Sequence, residues 1–176
     1  MGAVHIYCGD GKGKTSAALG LALRASGRGI PVVICRFLKN EDSGEVISLA
    51  NVPGITLIPC GKTFGFSWQM TPEERKEAAE DCLARFEEAA SKALSCPGDG
   101  MAVLILDEAM AAVNGGFLPL TRLLNFLDSR PDNLEVVLTG RNPAEELLSR
   151  AGYVTEMKKI RHVYEDGILA RKGIEF

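Results

Sequence analysis

The stretch Gly9-Asp10-Gly11-Lys12-Gly13-Lys14-Thr15-Ser16 decides the fold of this chain. It follows an apolar, strand-like run, Ala3-Val4-His5-Ile6-Tyr7-Cys8, and opens a helix-like run from Ser16 to Ala25 that closes on Gly27. Strand, glycine-rich turn, Gly-Lys-Thr and helix form the layout of a phosphate-binding P-loop. Glycines let backbone N–H groups turn inward around an anion. The helix start adds unpaired donors and the positive end of its dipole. In that layout Lys14 reaches the outer phosphates of a nucleotide and the Thr15 hydroxyl ligates Mg²⁺. The usual pattern has a glycine six residues before the lysine. Cys8 holds that position here, so the loop is a short variant with an additional Gly11 and Lys12. Glycine–lysine turns also join strands to helices without a ligand, but the flanking strand and helix favour the phosphate reading.

Outward from this loop, strand-length apolar runs recur at Pro31–Leu38, Ile55–Pro59, Ala102–Asp107, Leu134–Thr139 and Tyr153–Met157. Helical patterns lie between most of them. The alternation predicts an α/β fold with a largely parallel sheet and helices on both faces. The longest helix starts at Thr71-Pro72-Glu73-Glu74, a capping box with proline at the first helical position. Ala79, Cys82, Phe86, Ala90 and Ala93 then fall on one face. Asn142-Pro143-Ala144-Glu145 marks another helix start. Near the C-terminus, Glu165-Asp166-Gly167 between two apolar runs suggests a hairpin turn.

The 176 residues suit one domain spanning 1–176, and 46% hydrophobic content suits a packed core. A net charge of −3 and the absence of a basic run argue against nucleic acid as a partner. No apolar stretch is long enough to span a bilayer, and the N-terminus lacks a signal-peptide pattern. The five cysteines are odd in number and contain no C-x-x-C pair. That fits a reducing, cytoplasmic setting and no zinc site.

Val103-Leu104-Ile105-Leu106-Asp107-Glu108 is an apolar strand ending in two acids and resembles a Walker B segment. A carboxylate there, beside a P-loop, holds Mg²⁺ directly or through water. Alone, either acid could simply cap the next helix. The strand Leu134–Thr139 has the pattern of one inserted between the P-loop strand and the Walker B strand, which would bring Thr139 and Arg141 beside the phosphates. Arginine suits a triphosphate through its planar donors. A surface arginine in a loop is the competing reading.

Lys62-Thr63-Phe64-Gly65-Phe66-Ser67-Trp68 lies after the third strand, near the carboxyl edge of the sheet where α/β folds bind ligands. Its three aromatics are either a platform for a flat apolar ligand or plugs that close the core.

With these motifs assembled, the chain resembles the P-loop type ATP:corrinoid adenosyltransferases. The resemblance rests on the short P-loop together with Arg24-Ala25-Ser26-Gly27, Phe37-Leu38-Lys39, Gly44-Glu45, Phe66-Ser67-Trp68, Leu106-Asp107-Glu108, Leu138-Thr139-Gly140-Arg141, Val154-Thr155-Glu156-Met157, His162 and Gly173-Ile174-Glu175. It implies a three-layer, recombinase-like P-loop NTPase fold with strand order 3-2-4-5-1-6, usually as a homodimer. It implies transfer of the 5′-deoxyadenosyl group of ATP to Co(I) of a reduced corrinoid, with triphosphate leaving. ATP, Mg²⁺ or Mn²⁺, the corrinoid and an electron-donating reductase are the implied partners. Gly9 to Ser16, Arg24 and Arg141 are the implied ATP-binding set. Lys14 is the triphosphate lysine, and Thr15 and Glu108 are metal-associated, with Asp107 beside them. Phe66 and Trp68 match aromatics that displace the lower axial ligand of cobalt.

The sequence departs from the family in places. Arg36 stands where Gln is frequent, and Ala109 replaces a branched apolar residue. Relatives often carry an N-terminal extension that helps close the site, whereas here the first strand follows Met1 almost at once. An ordinary P-loop ATPase or kinase that cuts at the γ-phosphate, with Glu108 orienting water, and an ATP-gated corrinoid carrier or regulator are the alternatives that product analysis separates.

Overall fold

A computed structural model describes residues 2–62, 69–96 and 100–175. Six strands form one parallel sheet: β1 (Val4–Cys8), β2 (Val32–Arg36), β3 (Ile55–Leu57), β4 (Ala102–Asp107), β5 (Leu134–Thr139) and β6 (Tyr153–Glu156). Their order across the sheet is β3-β2-β4-β5-β1-β6, and every pairing is parallel. This is the order the family resemblance implies. β5 does lie between the P-loop strand β1 and the acid-ending strand β4.

Both faces of the central strands are covered, which is why β2 and β4 are buried along their whole length and apolar up to their last residues, Arg36 and Asp107, rather than alternating. Side chains still alternate between faces. Val32, Ile34, Val103 and Ile105 pack with Ala18, Ala22 and Ala25 of α1 (Lys14–Ser26). Val33, Cys35, Leu104 and Leu106 pack on the other face with Cys82, Phe86 and Ala89 of α3 (Pro72–Leu94). The Thr71 capping box is present: its hydroxyl accepts from Glu74 N at 3.2 Å, and Glu74 Oε2 accepts from Thr71 N at 2.8 Å. The expected apolar face of α3 packs as read, with Arg85 added to it. Arg85 is buried, donating to Arg36 O at 2.6 Å and to Asp81 at 2.8 Å. Shorter helices α2 (Gly44–Leu49), α4 (Ala109–Asn114), α5 (Leu120–Ser129) and α6 (Glu145–Leu148) complete the layers.

The expected terminal hairpin is not formed. Residues Val163–Asp166 make a 3₁₀ turn, which His162 Nδ1 caps by accepting from Tyr164 N at 3.2 Å. Gly167 ends the turn at φ 78°. A glycine after aspartate suits a helix end as well as a hairpin, so the dipeptide could not separate the two. The following residues turn back to the phosphate loop instead of pairing as a strand.

Candidate nucleotide site

The loop between β1 and α1 is shaped by what lies against it. Gly9 has φ 103° and Gly13 φ 118°, conformations that L side chains rarely adopt. A side chain on Gly9 or Gly11 would also collide with the Met157 backbone at the end of β6. Gly11 N donates to Met157 O at 2.6 Å, so the loop is braced by the neighbouring strand. The shifted glycine spacing follows: Cys8 is the buried last residue of β1, and the turn starts one residue later.

Lys14 is the first residue of α1 and only 9% exposed. Its ammonium donates to Gly11 O at 2.8 Å. Burial lowers its pKa; the Glu108 charge opposes that, and the Arg141 charge adds to it. An ammonium kept this dry in a loop of N–H donors is poised for a polyanion.

Thr15 follows, and its hydroxyl donates to Asp107 Oδ1 at 2.9 Å. Asp107, at the end of β4, is 1% exposed. Oδ1 also accepts from the Thr139 hydroxyl at 2.6 Å, and Oδ2 receives the Lys39 ammonium at 2.5 Å. Thr139 does not emerge beside the phosphates as expected. It is fully buried and works sideways, accepting from Glu108 N at 2.9 Å while donating to Asp107. That bridge holds Glu108 at φ 59°, a turn that places it in the cavity wall. The resemblance gives Glu108 to the metal, yet the geometry puts Asp107, not Glu108, against Thr15.

A cavity of about 550 Å³ opens over this cluster, within the range of small-ligand sites. Lys12, Gly13, Lys14, Thr15, Ser16 and Glu108 line it, as the sequence led one to expect. A second cavity of about 400 Å³ lies across the loop and takes Gly9, Asp10 and Arg141. Arg141 thus lines a different cavity from Lys39, yet is close enough for its charge to act on Lys14. Arg24 is not brought to the site. It sits exposed in the last turn of α1, about 15 Å along the helix from Lys14 by its rise. Phe66 and Trp68 lie outside the described residues.

Two parts of the site had no assigned role. Lys39 enters from the loop after β2. Buried Arg36 donates in that loop to Asn40 O at 3.2 Å and to Glu41 at 3.3 Å, and reaches Cys60 Sγ at 3.4 Å. The second part is the tail. Gly173, Ile174 and Glu175 form a wall of the larger cavity. Lys12 donates to Ile174 O at 3.0 Å and pairs with Glu175 at 2.9 Å. Both segments were visible only as matches to the family.

Hydrogen bonds from Arg171 and Lys12 hold the Glu175 carboxyl down at about 2. A depressed carboxyl stabilises its contacts above the ordinary value of 4.5 and loses that stabilisation as pH falls towards about 2. The wall is therefore expected to loosen across that acid window. Hydrogen exchange at residues 171–175 checks this; Glu175→Gln should be loose at neutral pH and show little further change on acidification.

A phosphate loop on a parallel sheet, with a threonine and a buried aspartate meeting beside it, defines a P-loop nucleotide-binding protein. The ATP:corrinoid adenosyltransferase BtuR/CobO/CobP family model matches residues 1–176, and the chain belongs to that family. It is 34% identical over 177 residues to the corrinoid adenosyltransferase of Pseudomonas aeruginosa, covering 99% of this chain and 84% of that one. It is 31% identical over 175 residues to the corrinoid adenosyltransferase CobA of Salmonella typhimurium, covering 99% and 86%. The fold is similar to a solved structure of EssC (ATPases 2 and 3) from Geobacillus thermodenitrificans. The TM-score is 0.55 at 14% identity, over 98% of this chain and 35% of that one.

Proposed function

We propose that this chain, acting as one unit over 1–176, transfers the 5′-deoxyadenosyl group of ATP to the Co(I) of a reduced corrinoid. The observation that carries the reading is the Lys14–Thr15–Asp107 constellation inside a chain that matches the family throughout. In the reaction a Co–C5′ bond forms and the C5′–O bond of ATP breaks. The leaving triphosphate takes the electron pair. Co(I) is itself a strong nucleophile, so no general base is needed. The protein's task is to hold C5′ in line with cobalt and to stabilise charge on the leaving oxygens. Lys14 and the loop N–H groups do this from below, Arg141 from the flank.

The residues fit a divalent cation. The Thr15 hydroxyl and Asp107 carboxylate already meet around a positive charge, the Lys39 ammonium. Among the described residues no group of three or more His, Cys, Asp or Glu forms a metal cluster. Mg²⁺ needs few protein ligands when phosphates supply the rest. Thr15 and Asp107 would hold Mg²⁺ or Mn²⁺, with Glu108 near enough to bind through water. When bound, the ion neutralises triphosphate charge.

A homodimer is supported by the edge strand β6, where Tyr153 and Val154 are exposed. A cytoplasmic setting and a reductase that delivers the electron belong to the same reading. No helix among the described residues is long and apolar enough to cross a membrane.

Anaerobic incubation with ATP, Mg²⁺ and chemically reduced corrinoid tests the proposal. Optical spectra should show the alkylated corrinoid, and triphosphate should be the inorganic product. Phosphate plus ADP would overturn it. Phe66→Ala and Trp68→Ala are expected to impair turnover while sparing ATP affinity, because the pair keeps the lower face of cobalt apolar. The loss should be large from Co(II) and largely rescued from Co(I). Equal losses from both would mean that the pair does not tune cobalt.

A further inference from the structure

We propose that Lys39 is a tethered cation that fills the divalent-metal position of the nucleotide-free site and leaves Asp107 for the triphosphate when nucleotide and metal enter together. The proposal rests on the reading that Thr15 and Asp107 hold the metal. Asp107 is buried, and a carboxylate out of water needs a counter-charge. Thr15 and Thr139 donate to it but are neutral. The charge comes from Lys39, whose ammonium lies 2.5 Å from Asp107 Oδ2 and 3.2 Å from Thr15 Oγ1. It therefore touches both groups expected to ligate the ion.

The local backbone is built to send Lys39 there. Arg36 clamps the loop from beneath through Asn40 and Glu41. Leu38 has φ 52°, a left-handed conformation that a side chain adopts only under constraint. Lys39 is one quarter exposed and lines the same cavity as Lys12, Lys14 and Thr15, so a swing away from Asp107 would carry its head into that cavity. A divalent ion and an ammonium cannot share one carboxylate at these distances without strong repulsion. Metal alone must therefore displace Lys39 with no new partner for it. Metal with triphosphate offers Lys39 a polyanion in the same cavity. Lys39 then makes metal binding conditional on nucleotide, and nucleotide binding conditional on metal to the same factor.

The test is Mn²⁺ binding to the full chain, read from the free-ion electron paramagnetic resonance signal, with and without ATP and with no corrinoid present. Wild type and Lys39→Arg should bind Mn²⁺ weakly alone and more tightly with ATP. Lys39→Met should bind Mn²⁺ alone about tenfold tighter or better than wild type. Its ATP dependence should shrink by the same factor. Its melting temperature should fall without metal and recover when Mn²⁺ is added, a recovery absent in wild type. Lys39→Gln, which retains a donor for Asp107 without the charge, should repeat the Mn²⁺ result if the methionine variant folds poorly. Unchanged or weaker Mn²⁺ binding by both neutral variants, while ATP-dependent binding persists, would overturn the role of Lys39. Failure of wild type to bind Mn²⁺ even with ATP would instead overturn the metal site, and the proposal with it.

Discussion

Replacing Lys14 with alanine is expected to remove ATP-dependent turnover while leaving the fold intact. Lys14 is buried at the mouth of the phosphate loop, and its ammonium's hydrogen bond to Gly11 O satisfies a carbonyl of the loop rather than the core. Alanine is a good helix former at the start of α1. What is lost is a charge-assisted contact to the leaving triphosphate, about 2–4 kcal/mol, or roughly thirty- to a thousandfold in rate. Steady-state kinetics with reduced corrinoid and an unfolding curve measure the two sides. Near-wild-type kinetics would sink the phosphate-loop assignment.

Asp107→Ala is expected to damage stability and metal dependence together. Two hydroxyls and one ammonium converge on this carboxylate. Removing it strands Lys39 and frees Thr139, which also positions Glu108. Breaking a fully buried ion pair costs about 3–5 kcal/mol; Lys39 is a quarter exposed, so about 2–4 kcal/mol is expected here. The denaturation midpoint should fall accordingly, and saturating Mg²⁺ should not restore activity. Glu108→Gln should keep wild-type stability, because its side chain lines a cavity instead of a core. If Glu108→Gln raises the Mg²⁺ requirement and Asp107→Asn does not, the metal belongs to Glu108.

Much of this was legible from local sequence. The strands β4 and β5 run between the residues expected, because short, largely apolar runs bounded by turn residues suit central strands of a sheet covered on both faces. The Thr71 box and the phosphate loop were legible for the same reason: their signals are carried within a few residues. What escaped depends on distant partners. Thr139 looked like a phosphate contact; the β4–β5 adjacency was legible, but not that its hydroxyl turns towards Asp107. Lys39 and Glu175 find their partners across 68 and 163 positions, which no periodicity encodes. Asp166-Gly167 misled because one dipeptide serves two backbone turns.

The pairing of Lys12 with Glu175 has a consequence for synthesis of the chain. The loop emerges early and its wall late, 163 positions apart. At ordinary elongation rates this interval is on the order of ten to thirty seconds. Through that time a nascent chain has the residues of its phosphate loop but neither Met157, which braces them, nor the wall beside them. The nucleotide should act late, fastening a sheet already assembled rather than directing its assembly.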